Sequence, residues 1–325
     1  MLEEIMIRNY HSEDLVALVA LINGSDAIDR LERATTLAEM EHEMSRPTEH
    51  PETDCFLAWD GDRLAGWTNL YVRPGDGAAN STIHCWGVVH PRWRRLGLGR
   101  RLLERAYQRA TGYLPELGEG AVNFQCNTRD VEQDRRALYE GFGLAPVRYW
   151  VNLVRPLNGG LPAVELPAGI RLRTFDPERD IEAVWRADNA AFRDHWDHAD
   201  SKLEEFQHWI SNPHFRPELW LLAESEESGE VVGLGLSEIN PDRIAQTGRR
   251  AGYIDTLAVL RRFRRRGLGE ALLVLSLQAL EQAGMEMADL DADTENLTGA
   301  MRLYERVGFS VRKSGISFRK AMREA

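Results

Sequence analysis

Arg261-Arg262-Phe263-Arg264-Arg265-Arg266-Gly267-Leu268-Gly269 stands between an apolar run, residues 253–259, and an amphipathic run, residues 268–283. A strand that ends in a glycine-bearing, arginine-rich turn and then opens a helix brings unpaired main-chain N–H groups, a positive helix end and guanidinium donors to one point. That is a grip for phosphate. The same device occurs earlier as Arg92-Trp93-Arg94-Arg95-Leu96-Gly97-Leu98-Gly99. Val89, Gly97 and Gly99 precede Val259, Gly267 and Gly269 by a constant 170 positions. Leu138-Tyr139-Glu140 with Gly143 precedes Leu303-Tyr304-Glu305 with Gly308 by 165. A repeat this long is a duplicated domain and not a solenoid unit.

The chain of 325 residues exceeds the usual ceiling for a single core, which also points to two domains. Forty basic against fifty-one acidic residues leave a net charge of -11, which excludes a general affinity for nucleic acid or an anionic membrane surface. Three cysteines without Cys-x-x-Cys spacing support neither a disulfide framework nor a zinc site. The acidic N-terminus lacks the pattern of a secretory signal, and no run is long and apolar enough to span a bilayer. A cytoplasmic protein, monomeric or homodimeric, is the expectation.

In chain order the pattern predicts a short strand at 5–7, helices after Ser12 and over 36–44, and a hairpin of 54–59 with 64–72 across Asp60-Gly61-Asp62. A strand at 81–89, a helix from Leu98, a strand at 121–125, a helix at 130–140 and an extended stretch at 147–154 follow. Residues 158–169, NGGLPAVELPAG, carry three Gly and two Pro and read as a linker. The order then repeats: strand 170–174, helices near 181–188 and 202–210, a hairpin of 219–223 with 231–239, strand 253–259, helix 268–283, strand 287–293, a helix near 297–307, and a closing pair around Phe309 and Ser317. The domains expected are 1–157 and 170–325, joined by 158–169.

The Arg-x-x-Gly-x-Gly turn after a Leu-Ala-Val strand end, Asn296, and Leu303-Tyr304-x-x-x-Gly308-Phe309 together resemble the GCN5-related N-acetyltransferases (GNAT). The duplicated layout is similar to the tandem members of that superfamily, the two-domain type of mycothiol synthase. The resemblance implies an α/β fold of two GNAT-like domains, each a central, mostly antiparallel sheet flanked by helices. It implies acetyl-CoA as cosubstrate, without a metal, and direct attack by a primary amine of a small molecule in a ternary complex. It also implies that Leu257, Val259, Arg264, Arg265, Arg266, Gly267, Leu268, Gly269, Asn296 and Tyr304 bind the coenzyme, as do Val89, Arg94, Arg95, Gly97 and Gly99 in the first half.

Acetyl transfer to an amine needs a base for the ammonium, donors for the oxyanion and an acid for the departing thiolate. Tyr304 suits the last role, or else is a core tyrosine; Tyr139 carries the same two readings. Asp255 is a carboxylate in an otherwise apolar strand: either a base tuned by burial or half of a structural pair with an arginine. Its counterpart in the first half is Cys85, and the counterpart of Asn296 is Val131, so chemistry is expected in the second half and the first is degenerate or binds coenzyme only. Asn296 either contacts the coenzyme or caps the helix after it. Phe192 and Trp196 line the acceptor pocket or pack beneath the helix that follows. His195 and His198 lack a third ligand, and so either cap a helix or simply face solvent. The competing function is an acyl-CoA-binding or regulatory module without turnover, which has no need of Asp255 or Tyr304.

Overall fold

The computed structural model describes residues 4–75, 80–295 and 299–324. Contacts divide the chain into two compact units: Met1–Tyr149 with Gly315–Ala325, and Trp150–Ser314.

The first unit runs β1 (Met6–Asn9), α1 (Leu15–Asp29), α2 (Leu37–Met44), α3 (Pro51–Asp54), β2 (Cys55–Asp60), β3 (Arg63–Arg73), β4 (Ser81–Val89), α4 (Leu98–Thr111), β5 (Val122–Arg129) and α5 (Gln133–Gly141). The β2–β3 hairpin turns on Gly61, whose φ of 61° is the left-handed conformation the Asp-Gly pair predicts. Thr36 and Glu39 cap α2 reciprocally. Successive residues of β2 point to opposite layers: Leu57 packs with Leu18 and Ile22 of α1, and Ala58 with Leu98 and Leu102 of α4. All pairings in this sheet are antiparallel except β4 with β5.

The second unit repeats the plan. It contains residues 150–156 of β6 (Ala145–Pro156), then β7 (Ile170–Thr174), α6 (Ile181–Phe192), α7 (Leu203–Ile210), β8 (Trp220–Ser225), β9 (Val231–Glu238), α8 (Pro241–Thr247), β10 (Ala251–Val259), α9 (Leu268–Gln282), β11 (Met287–Asp293) and α10 (Ala300–Arg306). β10 and β11 are the parallel pair. Gly235 allows α9 to sit close on β9, since a Cβ there would lie 2.5 Å from Ser276 Oγ.

The end of the chain differs from the expected closing pair. Residues from Ser310 to Arg323 form one strand, β12, whose part from Gly315 onward pairs antiparallel with β5 in the first unit. There Phe318 is fully buried against Tyr139. Likewise residues 150–156 pair with β11 in the second unit. The exchange of edge strands is why the contact boundaries fall at 149/150 and 314/315, whereas the sequence places them at a glycine- and proline-rich stretch. Residues 158–169 carry no helix or strand. Both ladders are non-local pairings that no local pattern encodes.

Candidate active site

Each parallel pair opens like a fork. In the second unit the β10–β11 rungs end at Tyr253 and Asp289, although the strands continue to Val259 and Asp293. The antiparallel ladder between β10 and β9 skips Asp255, with Ile254 opposite Ser237 and Thr256 opposite Leu236. Asp255 is therefore the extra residue of a β-bulge, the device that bends a strand and re-aims a side chain. In the first unit the β4–β5 rungs continue to Cys85 and Cys126, and the β3–β4 ladder passes through Cys85 unbroken. The bulge belongs to the second copy.

The surroundings of Asp255 are acidic. Its carboxylate opens to solvent on one side and is crowded by protein on the others, and this desolvation, followed by the charges of Glu238, Asp188 and Asp291, pushes its pKa up to about 7. The Thr256 hydroxyl, 3.5 Å away, pulls weakly the other way. Asp255 forms no ion pair among the described residues, which removes the structural arginine pair from its two readings. Asp188, on α6, has its pKa raised to about 6 by burial, and its Oδ1 is buried without a hydrogen-bond partner among the described residues. Asp291 accepts from Asn152 Nδ2 at 2.9 Å. The indoles of Trp150 and Trp196 lie 6.3 Å apart.

Tyr304 lies in the apolar cluster of Ile254, Leu290 and Ala292, edge-on to Phe309 at 5.9 Å. Burial raises its phenol to about 12, so it keeps its proton across the neutral range. Its hydroxyl makes no hydrogen bond among the described residues. Tyr139 is placed alike in the first unit, in a cluster with Cys85 and Cys126, and is also raised by burial.

The turn after β10 has Arg265 at φ 61° and Gly267 at φ 84°, and its duplicate has Arg95 at 61° and Gly97 at 90°. Alternating left-handed positions turn successive N–H groups into one hollow, and at Gly267 and Gly97 such a φ favours glycine. Among the described residues no main-chain N–H from Arg265 to Glu270 has an acceptor; the first helical bond of α9 is Ala271 N–H to the Gly267 carbonyl. The arginines divide their labour. Arg264 donates to the carbonyls of Val259 (3.0 Å) and Ala191 (2.7 Å) and to Asp194 (2.8 Å), and so shapes the loop. Arg94 does the same through Val89 and Asp29. Arg265 is exposed and unpaired among the described residues, and Arg266 leans over the Phe263 ring. Leu268 is buried in the core, so only its main chain faces the hollow. In the first unit a cavity of about 630 Å³ runs along the corresponding loop, between Val89, Arg95, Gly97 and the start of α5, and reaches Cys85 and Tyr139.

The profile of the acetyltransferase (GNAT) family matches residues 25–144 and again 181–309. The chain belongs to that family. A mycothiol acetyltransferase of Thermobispora bispora is 36% identical over 256 residues, covering 78% of this chain and 79% of that protein. The crystal structure of a GCN5-related N-acetyltransferase from Sphaerobacter thermophilus superposes with a TM-score of 0.76 at 27% identity, covering 99% of this chain and 97% of the other. A tandem GNAT protein of the clavulanic acid biosynthesis pathway superposes at 0.71 with 16% identity over 99% and 100% of the two chains, a likeness of fold alone. The protein is thus an acetyltransferase of two tandem GNAT domains that uses a CoA-type cosubstrate.

Of the remaining GNAT-site expectations, Asn296 lies outside the described residues. Leu257 and Val259 follow the bulge on the opened stretch of β10, as Val89 ends β4. Phe192 packs against the core and edge-on to His195 at 4.5 Å. His198 is bound to Asp200 at 2.8 Å, and no group of three or more metal-ligating side chains converges among the described residues. No helix among them is long and apolar enough to cross a membrane. Asp188, Glu238 and Asp291 escaped the sequence reading. For Asp188 a signal existed: it shares the buried stripe of Val184, Ala187 and Ala191, where an unpaired carboxylate is out of place.

Proposed function

We propose that the protein transfers the acetyl group of acetyl-CoA to a primary amine of a small molecule, by direct attack, in the second unit. The observation that carries this reading is Asp255: an unpaired carboxylate, set out of register by a bulge at the mouth of the opened β10–β11 fork, with a pKa near 7. A base is most effective when its pKa lies near the working pH.

The N–H groups of residues 265–270, unbonded among the described residues, and the exposed Arg265 fit a pyrophosphate, and the thioester supplied by the cosubstrate provides the electrophile. Asp255 takes a proton from the acceptor ammonium, and the freed amine attacks the thioester carbonyl. As the C–S bond breaks, Tyr304 gives its phenolic proton to the leaving sulfur. The new N–C bond leaves the nitrogen with a proton to lose, and that proton restores the phenol. Free thiol, amide and one proton on Asp255 result, so charge and atoms balance. No thiol nucleophile is needed, and Cys85, the one cysteine beside either loop, is buried against Thr68 and Cys126.

For the first unit we infer coenzyme binding without transfer. Its cavity and loop support binding, while Cys85 in an unbroken ladder gives no base. The alternative for the whole chain, a binding module without turnover, leaves Asp255 and Tyr304 without a purpose. A panel of primary amines assayed for acetyl-CoA-dependent release of free CoA tests the proposal. Binding of acetyl-CoA with no release for any amine would favour the module.

A further inference from the structure

The duplication offers an internal control on the cavity of the first unit. Tyr139 stands 165 positions before Tyr304, so the residue one turn earlier on each helix is Arg135 in α5 and Ala300 in α10. The rungs Trp67–Val88 and Leu234–Ala258 likewise equate Trp67 with Leu234. Arg135 and Trp67 both line the cavity of about 630 Å³. Where the second unit has two apolar side chains, the first has two hydrogen-bond donors.

Neither donor finds a hydrogen-bond acceptor among the described residues. Trp67 is 8% exposed, and its indole N–H is buried without a partner. The Arg135 guanidinium makes one ion pair, with Glu132, whose Oε1 lies 3.2 Å away but out of line and is itself buried without a hydrogen bond. Glu132 is also held elsewhere, since its Oε2 accepts from the Arg129 N–H at 2.7 Å. The other carboxylates that bear on Arg135 are Asp26 and Asp29, and these are bound by Arg33 and Arg94. The neighbouring pair of Arg136 with Glu140 meets at 2.9 Å with about half of each side chain in solvent, whereas the Arg135 side chain is 21% exposed. Drawing a guanidinium out of water without hydrogen bonds is unfavourable until an acceptor arrives.

Phosphates belong at the loop, but the charge of Arg135 bears on Cys85, Cys126 and Tyr139. Tyr139 is the counterpart of the tyrosine assigned to the departing sulfur, so the guanidinium serves the acyl end of a bound thioester. Its planar fork of donors matches a carboxylate. We propose that the first unit binds a CoA thioester whose acyl group ends in a carboxylate, the half-thioester of a short dicarboxylic acid, with that carboxylate on Arg135. This rests on the reading of the first unit as a coenzyme-binding one, and it adds the class of acyl group. The amides of the coenzyme arm offer a donor for Glu132 Oε1 and an acceptor for the Trp67 N–H.

The test is calorimetric titration into the full chain carrying Gly267→Val, where the φ of 84° strains any side chain, so that the first unit alone is read. Succinyl-CoA is compared with butyryl-CoA, and malonyl-CoA with propionyl-CoA, pairs of equal chain length that differ in terminal charge. At least one acidic member should bind about tenfold or more tighter than its neutral partner, the scale of a charge-assisted hydrogen bond. Arg135→Met, which keeps the stem without the charge, should bring that ratio to about one while the neutral thioester binds as before. Thermal melts establish that the variant is folded, and the ratio in its parent decides the matter even where it is not. Binding of all four thioesters without preference overturns the carboxylate and leaves coenzyme binding standing; binding of none overturns both. Free CoA binding more tightly than either acidic thioester would make the thiolate the anion and overturn the acyl carboxylate. A preference that survives in Arg135→Met overturns it as well.

Discussion

Replacing Asp255 by Asn separates catalysis from stability, and the structure sets the direction of both effects. Protein atoms and the charges of Glu238, Asp188 and Asp291 raise the carboxyl from 3.8 to about 7. The folded state therefore holds the proton more tightly than the unfolded chain, so this group's stabilising contribution is complete below about pH 4 and lost as pH rises through 7. A shift of that size corresponds to about 4 kcal/mol for an enclosed group. Because the carboxylate opens to solvent, we discount this to about 1–2 kcal/mol. Asn carries no charge, so at pH 8 the variant should melt roughly 3–6 °C higher, the scale for a unit of this size, and show little gain at pH 4. Its kcat/KM should fall, and the decline of activity below pH 7 should disappear from what remains, because that limb reports the free enzyme's base. Scanning calorimetry at the two pH values and a pH–rate series test this on one variant. A lower melting temperature at pH 8 would reveal a hidden cationic partner and refute the electrostatic account; an unchanged acid limb would remove Asp255 from the chemistry.

Tyr304→Phe should lower kcat by about a hundredfold with little change in acetyl-CoA affinity, measured by steady-state kinetics and calorimetry, while Tyr139→Phe changes kcat less than twofold. Arg265→Glu should weaken acetyl-CoA binding at the second unit about tenfold or more without lowering the melting temperature, since that side chain is exposed and pairs with none of the described residues. Gly97→Val is combined with it so that calorimetry reads one site; the φ of 90° there strains any side chain. Arg155→Ala should destabilise the second unit by about 2–4 kcal/mol in urea titrations, because the buried guanidinium serves the carbonyls of Val307, Pro156 and Gly160, which would lose their donors.

What the sequence by itself determined was local or repeated. The phosphate loops are legible because strand, left-handed turn and helix start are contiguous, and the offsets of 170 and 165 announce two copies. Strands at 81–89, 170–174 and 287–293 end where the pattern ends them, because apolar alternation and flanking turns act over a few residues. Tyr304 and Asp255 stood out as residue types at set positions. Tertiary structure decided the rest. Sequence spacing cannot show that Asp255 is a bulge residue, since a bulge exists only against the register of β9. Nor can it bring Asp188 of α6, Glu238 of β9 and Asp291 of β11 around that carboxylate. Each lies in a different element and owes its charge environment to packing between residues as far apart in the chain as Asp188 and Asp291. The same limit hid the final strand: Phe318 fits its neighbours in β5 and α5 of the first unit, and long-range fit of that kind leaves no periodic trace in the stretch that provides it.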